Sequence, residues 1–219
     1  MKTLSFSILS SLLLAGTAFA QPAVQASSSY VPAPRDALEI AIGGGYMQST
    51  GDLGGGMANV TDVAGPGGGG ELQIGVRITP NFSIGAYGTL SGYAAGNQLV
   101  ERNHDVVGTT VGVKADWHFR PTTSVDPWVS LGGGMRWLIT DDRNTNTTSL
   151  RGIDLARVQL GVDYRATKSF AIGPVIGASA SMYLDKDTAM TRGYQEIDDK
   201  RVNWTFTGGL LGRFDLFGR

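Results

Sequence analysis

The 219-residue chain predicts an all-β fold, a closed eight-stranded antiparallel up-and-down transmembrane β-barrel, on three observations. Apolar and polar residues alternate with a period of two from Ala37 to the C-terminus. The segments that alternate are joined by connections that are short and long in turn. The face opposite the apolar one carries Gly, Ser, Thr and Ala with isolated charges, where a solvated surface would carry many Lys and Glu residues.

The chain opens MKTLSFSILSSLLLAGTAFA: Lys2, an apolar stretch from Leu4 to Leu14, then Ala18-Phe19-Ala20 before Gln21. This is the pattern of a secretory signal peptide over residues 1–20. The apolar stretch is shorter than the roughly 20 residues of a helical span. Residues 21–36, QPAVQASSSYVPAPRD, show no periodicity and read as a flexible periplasmic leader, with the barrel occupying residues 37–219. The chain has no cysteine, so disulfides do not hold it, and its formal net charge of −1 gives no basic patch for nucleic acid.

The strands follow in order. ELQIGVRI (71–78) sets Leu72, Ile74, Val76 and Ile78 against Glu71, Gln73 and Arg77. VVGTTVGVKADWHF (106–119) sets Val107, Val111, Val113, Trp117 and Phe119 against Lys114, Asp116 and His118. ARVQLGVDYR (156–165) and VNWTFTGGLLGRFDL (202–216) alternate in the same way. The pattern predicts strands at about 37–48, 71–79, 82–93, 105–119, 127–139, 153–165, 170–184 and 200–217. Short turns join the second strand to the third (79–81), the fourth to the fifth (120–126) and the sixth to the seventh (166–169). Long polar loops are expected at 49–70, 94–104, 140–152 and 185–199. Tight turns at one end and long loops at the other are the habit of outer-membrane barrels.

The first of those loops holds nine glycines in the twenty positions 51–70. A phosphate cradle needs glycines leading into a helix N-terminus, usually with a lysine. Here GPGGGG runs straight into ELQIGVRI, and no lysine lies between Lys2 and Lys114, so the run reads as a mobile surface loop.

Alternation alone leaves the sidedness open, because a soluble lipocalin-type barrel has the same period with the apolar face inside. The aromatics decide for lipid. Tyr46, Trp137 and Trp204 fall toward the long-loop end of the apolar face. Trp117, Phe119, Tyr164, Phe170 and Phe214 fall toward the short-turn end. Two rings separated by aliphatic residues match interfacial girdles. The polar face then lines the lumen with Glu39, Glu71, Arg77, Lys114, Asp116, Arg136, Arg157, Asp163, Arg165, Arg201, Arg213 and Asp215. Interlocked, these charges plug the interior; unpaired, they would line a narrow ion-conducting pore.

ITPNFSIGAYGTLSGY (78–93), PWVSLGGGMRW (127–137) and the aromatic-ended WTFTGGLLGRFDLF (204–217) resemble the small eight-stranded outer-membrane barrels of the OmpA/OmpX and opacity-protein type. The last departs from the usual ending, since Gly218 and Arg219 follow Phe217. The resemblance implies residence in a Gram-negative outer membrane, with lipid, lipopolysaccharide and the barrel-assembly machinery as partners. It also implies a structural or surface-interaction role, with an extracellular partner met through the long loops.

An enzymatic alternative rests on one rim, where His104 and Asp105 enter the fourth strand near Asp141 and Asp142. A histidine beside carboxylates can activate water, as in omptin-like proteases. The His and Ser spacing of lipid A deacylase-type barrels is absent at both His104 and His118, and His118 reads as a satisfied polar partner in the lumen. No cofactor is expected and no metal either, since DDRNTN (141–146) lacks the glycine and terminal glutamate of a calcium loop.

Overall fold

A computed structural model describes residues 30–57, 59–96, 104–142, 146–188 and 191–219. The signal-peptide and residues 21–29 of the leader lie outside the described residues. Nine strands form: β1 (Ala37–Gly51), β2 (Ala64–Thr79), β3 (Phe82–Ala95), β4 (His104–His118), β5 (Val125–Asp142), β6 (Asn146–Thr167), β7 (Phe170–Thr188), β8 (Thr191–Glu196) and β9 (Val202–Leu216), with one short helix, α1 (Val60–Val63). No described helix is long and apolar enough to cross a membrane, which says nothing of a barrel that crosses with strands.

Each barrel strand pairs antiparallel with its neighbours in sequence, and the ring closes where β9 pairs with both β7 and β1. The closing seam is continuous from Leu38 opposite Leu216 to Gly51 opposite Asn203. The eight barrel strands are thus β1 to β7 and β9, while β8 is a short addition to β7 beyond the barrel, with Asp185 opposite Glu196. Closure leaves no unpaired edge in the wall, the condition a bilayer imposes on backbone amides.

The strands run further than alternation indicates. Residues 64–70, expected within a loop, belong to β2: Gly70, Gly69 and Gly68 pair with Gly44, Gly45 and Tyr46 on one side. The same residues pair with Leu90, Ser91 and Gly92 on the other. Glycine carries no side chain to show a face, so the sequence pattern falls silent where the backbone ladder continues. At Gly69 the reason for glycine is close approach, because a Cβ there would lie 2.5 Å from the carbonyl oxygen of Leu90. The expected loop 140–152 is likewise mostly strand, with Thr140 opposite Thr148, and the expected loop 185–199 contains the β7–β8 hairpin.

The first loop keeps only residues 52–63. Gly54, Gly55 and Gly56 all adopt left-handed φ, at +84°, +62° and +70°. Successive left-handed residues are a conformation that side chains resist. The turn brings Leu53 and Val60 under the mouth of the barrel, where they are 1% exposed and cluster with Val106, Leu138, Leu150, Tyr183 and Ile197. An apolar cluster therefore lies at the long-loop end.

The described end of the leader makes contacts of its own. Within residues 30–36, Tyr30 bridges Thr123, and Ala33 N–H donates to the Pro121 carbonyl at 2.6 Å.

Candidate functional site

The strand pleat sends odd-numbered residues of β1, β2, β3 and β9 inward and even ones outward. The outside is apolar: Val113, Leu131 and Ile176 are 70%, 61% and 62% exposed. The inside is charged, with Arg77, His118 and Arg213 at 0%. In water this arrangement would be inverted.

At the short-turn end the lumen holds a dense ion cluster. Arg77 donates from Nε to Asp215 at 3.0 Å and from Nη2 to Glu39 at 2.8 Å. Arg213 donates from Nε to Asp163 at 3.0 Å and from Nη1 to both Glu39 and Asp116. Arg165 reaches Asp215 at 2.8 Å, and Lys114 reaches Asp116 and Gln73. Glu39 and Asp215 each meet two cations through separate oxygens, which helps to offset the cost of burying charge, whereas Asp116 takes Lys114 and Arg213 on one oxygen and its Oδ1 has no partner.

Sequence pattern missed two members of this cluster, Asp126 and Trp128, and did not give the partners of His118. Asp126 accepts from His118 Nδ1 at 2.8 Å and from the Arg120 backbone N–H at 2.9 Å. Trp128, in the turn-side part of β5, donates from Nε1 to Asp163 at 2.8 Å and lies under the Arg213 guanidinium at 4.9 Å. His118 Nε2 is 3.3 Å from Arg77 Nη2. A guanidinium only donates, so Nε2 accepts, and the imidazole is the neutral tautomer with its proton on Nδ1 toward Asp126.

A second layer lies midway. Arg157 donates to Glu71 at 2.5 Å, Gln73 and Gln159 donate to the same carboxylate, and the Arg157 guanidinium stacks on Tyr87 at 4.4 Å. A third layer stands above it. Arg136 pairs with Asp154 at 3.0 Å and donates to Ser181 and Thr205 at 2.6 and 3.1 Å. Beside the upper layers a cavity of ≈ 30 Å³ is lined by Ser49, Thr89, Ser91, Thr110 and Thr205 together with Arg136, Arg157 and the apolar Val60 and Leu138. A site of that size holds a water or two and no larger solute.

Eleven of the twelve charges expected in the lumen sit in these layers, each less than a tenth exposed or half-buried in an ion pair. Arg201 does not. It precedes β9 at the rim, its side chain is 56% exposed, and it pairs with Asp199, which raises its pKa above the ordinary value. It falls outside because the chain enters the wall only at Val202. Asp126 and Asp154 were missed because each lies where the alternation is broken, by Pro127 after the turn and by the register shift between Asp154 and Ala156.

Of the eight girdle aromatics, Tyr46, Trp117, Phe119, Tyr164, Trp204 and Phe214 are exposed on the outer wall. Trp137 and Phe170 are half-buried there, Phe170 against Phe214 at 5.0 Å between ring centres. At the opposite rim, backbone register sets His104 opposite Asp142 and Asp105 opposite Asp141. The side chains of His104, Asp105 and Asp142 lie outside the described residues; Asp141 is exposed and accepts from Thr147 at 3.2 Å. Among the described residues no group of three metal-ligating side chains occurs.

Solved structures share this architecture. Neisserial surface protein A (NspA) aligns over 82% of this chain and 97% of its own, with TM-score 0.52 and 12% identity. The outer membrane protein AlkL, determined by solid-state NMR in DMPC bilayers, aligns over 88% and 95%, with TM-score 0.51 and 12% identity. The fold is that of the small eight-stranded outer-membrane barrels. Within that fold the ion-pair layers described above occupy the axis, where the strand number leaves an interior just wide enough for side chains. No family model and no curated protein matches the chain.

Proposed function

We propose that this protein is an integral barrel of a Gram-negative outer membrane, with a structural or surface-interaction role and no conducting pore. The observation that carries the reading is the inversion of the wall. Exposed aliphatics such as Val113, Leu131 and Ile176 face out, while ten or more ionised groups are buried along the axis. Lipid satisfies such an exterior and water does not. Lipid and lipopolysaccharide then cover the apolar belt, the signal peptide at residues 1–20 directs export, and the loop end faces outward. Three ion-pair layers and the apolar cluster at the long-loop end support closure of the lumen, since an ion would have to break buried pairs in series to pass.

The test is electrical. Folded protein, verified by heat-modifiable gel mobility, is reconstituted in planar bilayers. Closure predicts a silent membrane; sustained discrete steps in single-channel records would overturn it. Recovery of the native protein in the soluble fraction would overturn the membrane assignment itself.

A further inference from the structure

The short-turn mouth has its own cover. β1 and β5 stand diametrically opposite in the ring, four strands apart by either route. Yet Tyr30 and Ala33, just before β1, contact Thr123 and Pro121 in the turn between β4 and β5. Eight strands spaced ~4.8 Å and tilted ~40° make a ring about 16 Å across. The four residues from Ala33 to Ala37 span about 13 Å when extended, enough to reach across most of that width. The segment must therefore run over the mouth. Ala33 is 5% exposed, as a residue lying over the end of a filled lumen should be.

The C-terminus bends with it. Arg35 and Arg219 exchange two backbone hydrogen bonds, at 3.2 and 3.0 Å, that continue the β1–β9 register beyond the barrel. Between that pair and the wall, both chains turn through left-handed backbone at residues that are not glycine: Asp36 at φ 53° and Phe217 at φ 60°. Such residues are held there only by their surroundings. Gly218 lies against Pro34 and Ala37, where a side chain would collide with both. Under this end are Arg77, which donates to the Pro80 carbonyl, and His118 with Asp126, which fix the turn that the segment grips.

We propose that residues 30–36, paired with Gly218–Arg219, form a strap across the short-turn mouth that seals the charged floor of the lumen from water on that side. The strap rests on the proposed closure of the lumen, and thiol labelling tests it separately from the conductance record.

Thiol accessibility tests it, because the chain has no cysteine of its own. Ala171 points inward on β7 opposite Arg213 and is 0% exposed. The full chain carrying Ala171→Cys is labelled with a charged methanethiosulfonate, with and without Ala33→Pro, which removes the N–H that binds Pro121. Breaking the strap is expected to speed labelling at least tenfold; equal rates in two folded barrels would overturn the seal. A separate variant, Tyr30→Cys with Thr123→Cys, tests the crossing without disturbing the fold. Oxidation of folded protein is expected to give an intramolecular disulfide, and failure to form it would overturn the crossing.

Discussion

Arg213 reaches across the β9–β1 seam to the carboxylate of Glu39, so the strands that close the ring are joined by a buried ion pair as well as by their ladder. Glu39 is held from the other side by Arg77 of β2. Removing Arg213 would take a cation from three buried carboxylates: Glu39 and Asp116 would keep Arg77 and Lys114, while Asp163 would keep only the Trp128 N–H. Arg213→Ala is expected to cost about 3–5 kcal/mol in urea unfolding from lipid vesicles, the range for breaking a buried pair. Glu39→Gln with Arg213→Met should cost less than the sum of the two single changes, since neither partner is then left charged and alone.

The middle layer makes contacts of its own. Glu71→Ala releases Arg157, Gln73 and Gln159 but leaves the short-turn cluster intact. We expect planar bilayers containing this variant to stay silent. Steady conductance from the single change would show that the Glu71 layer alone closes the lumen.

The four tryptophans divide by side. Trp117 and Trp204 are 49% and 46% exposed on the outer wall, whereas Trp128 is 2% exposed inside. With each of the others changed to Phe, Trp117 or Trp204 alone should be quenched by brominated acyl chains. Trp128 alone should be spared. Equal quenching of all three would contradict the sidedness of the wall.

Within the glycine tract the two faces differ. A Cβ at Gly69 would meet the Leu90 carbonyl at 2.5 Å, and one at Gly68 would lie 3.2 Å from the Gly45 carbonyl. Gly69→Ala is expected to destabilise the folded barrel by about 1–3 kcal/mol, as overpacking does. Gly68→Ala should cost less, and the two variants can be ranked by the temperature at which heat-modifiable mobility is lost.

The rim reading is tested by turnover. His104→Ala is expected to leave barrel assembly unchanged, and neither it nor the unsubstituted protein should cleave peptides or alter lipid A. Turnover abolished by His104→Ala would establish the enzymatic alternative.

What could be read from the sequence followed side-chain alternation. Strand count, sidedness and most of the axial charges came from positions such as Leu72, Ile74 and Val76 against Glu71 and Arg77. Where alternation carries no information the reading stopped short. Gly67 to Gly70 have no face, and residues 146–152 lie in a ladder that extends past the apolar belt with polar residues on both sides. The partnership of His118 with Asp126 needed the turn geometry, and the inward placement of Trp128 needed the register across Pro127. The strap was hidden for a different reason: its hydrogen bonds are made by backbone to a turn nearly a hundred residues away, and no side-chain pattern encodes them.

The ring is sewn in chain order and closed by its first strand meeting its last. Seven strands can pair as they arrive, yet until residues 202–216 are in place β1 and β7 each present a full row of unsatisfied amides. Completion is thus a single late event of very long sequence separation, which topology makes slow. A chain cut short of β9 would be an open sheet with two adhesive margins, prone to pairing with its neighbours rather than to sitting quietly in a bilayer. The fifteen residues of β9 decide between those fates.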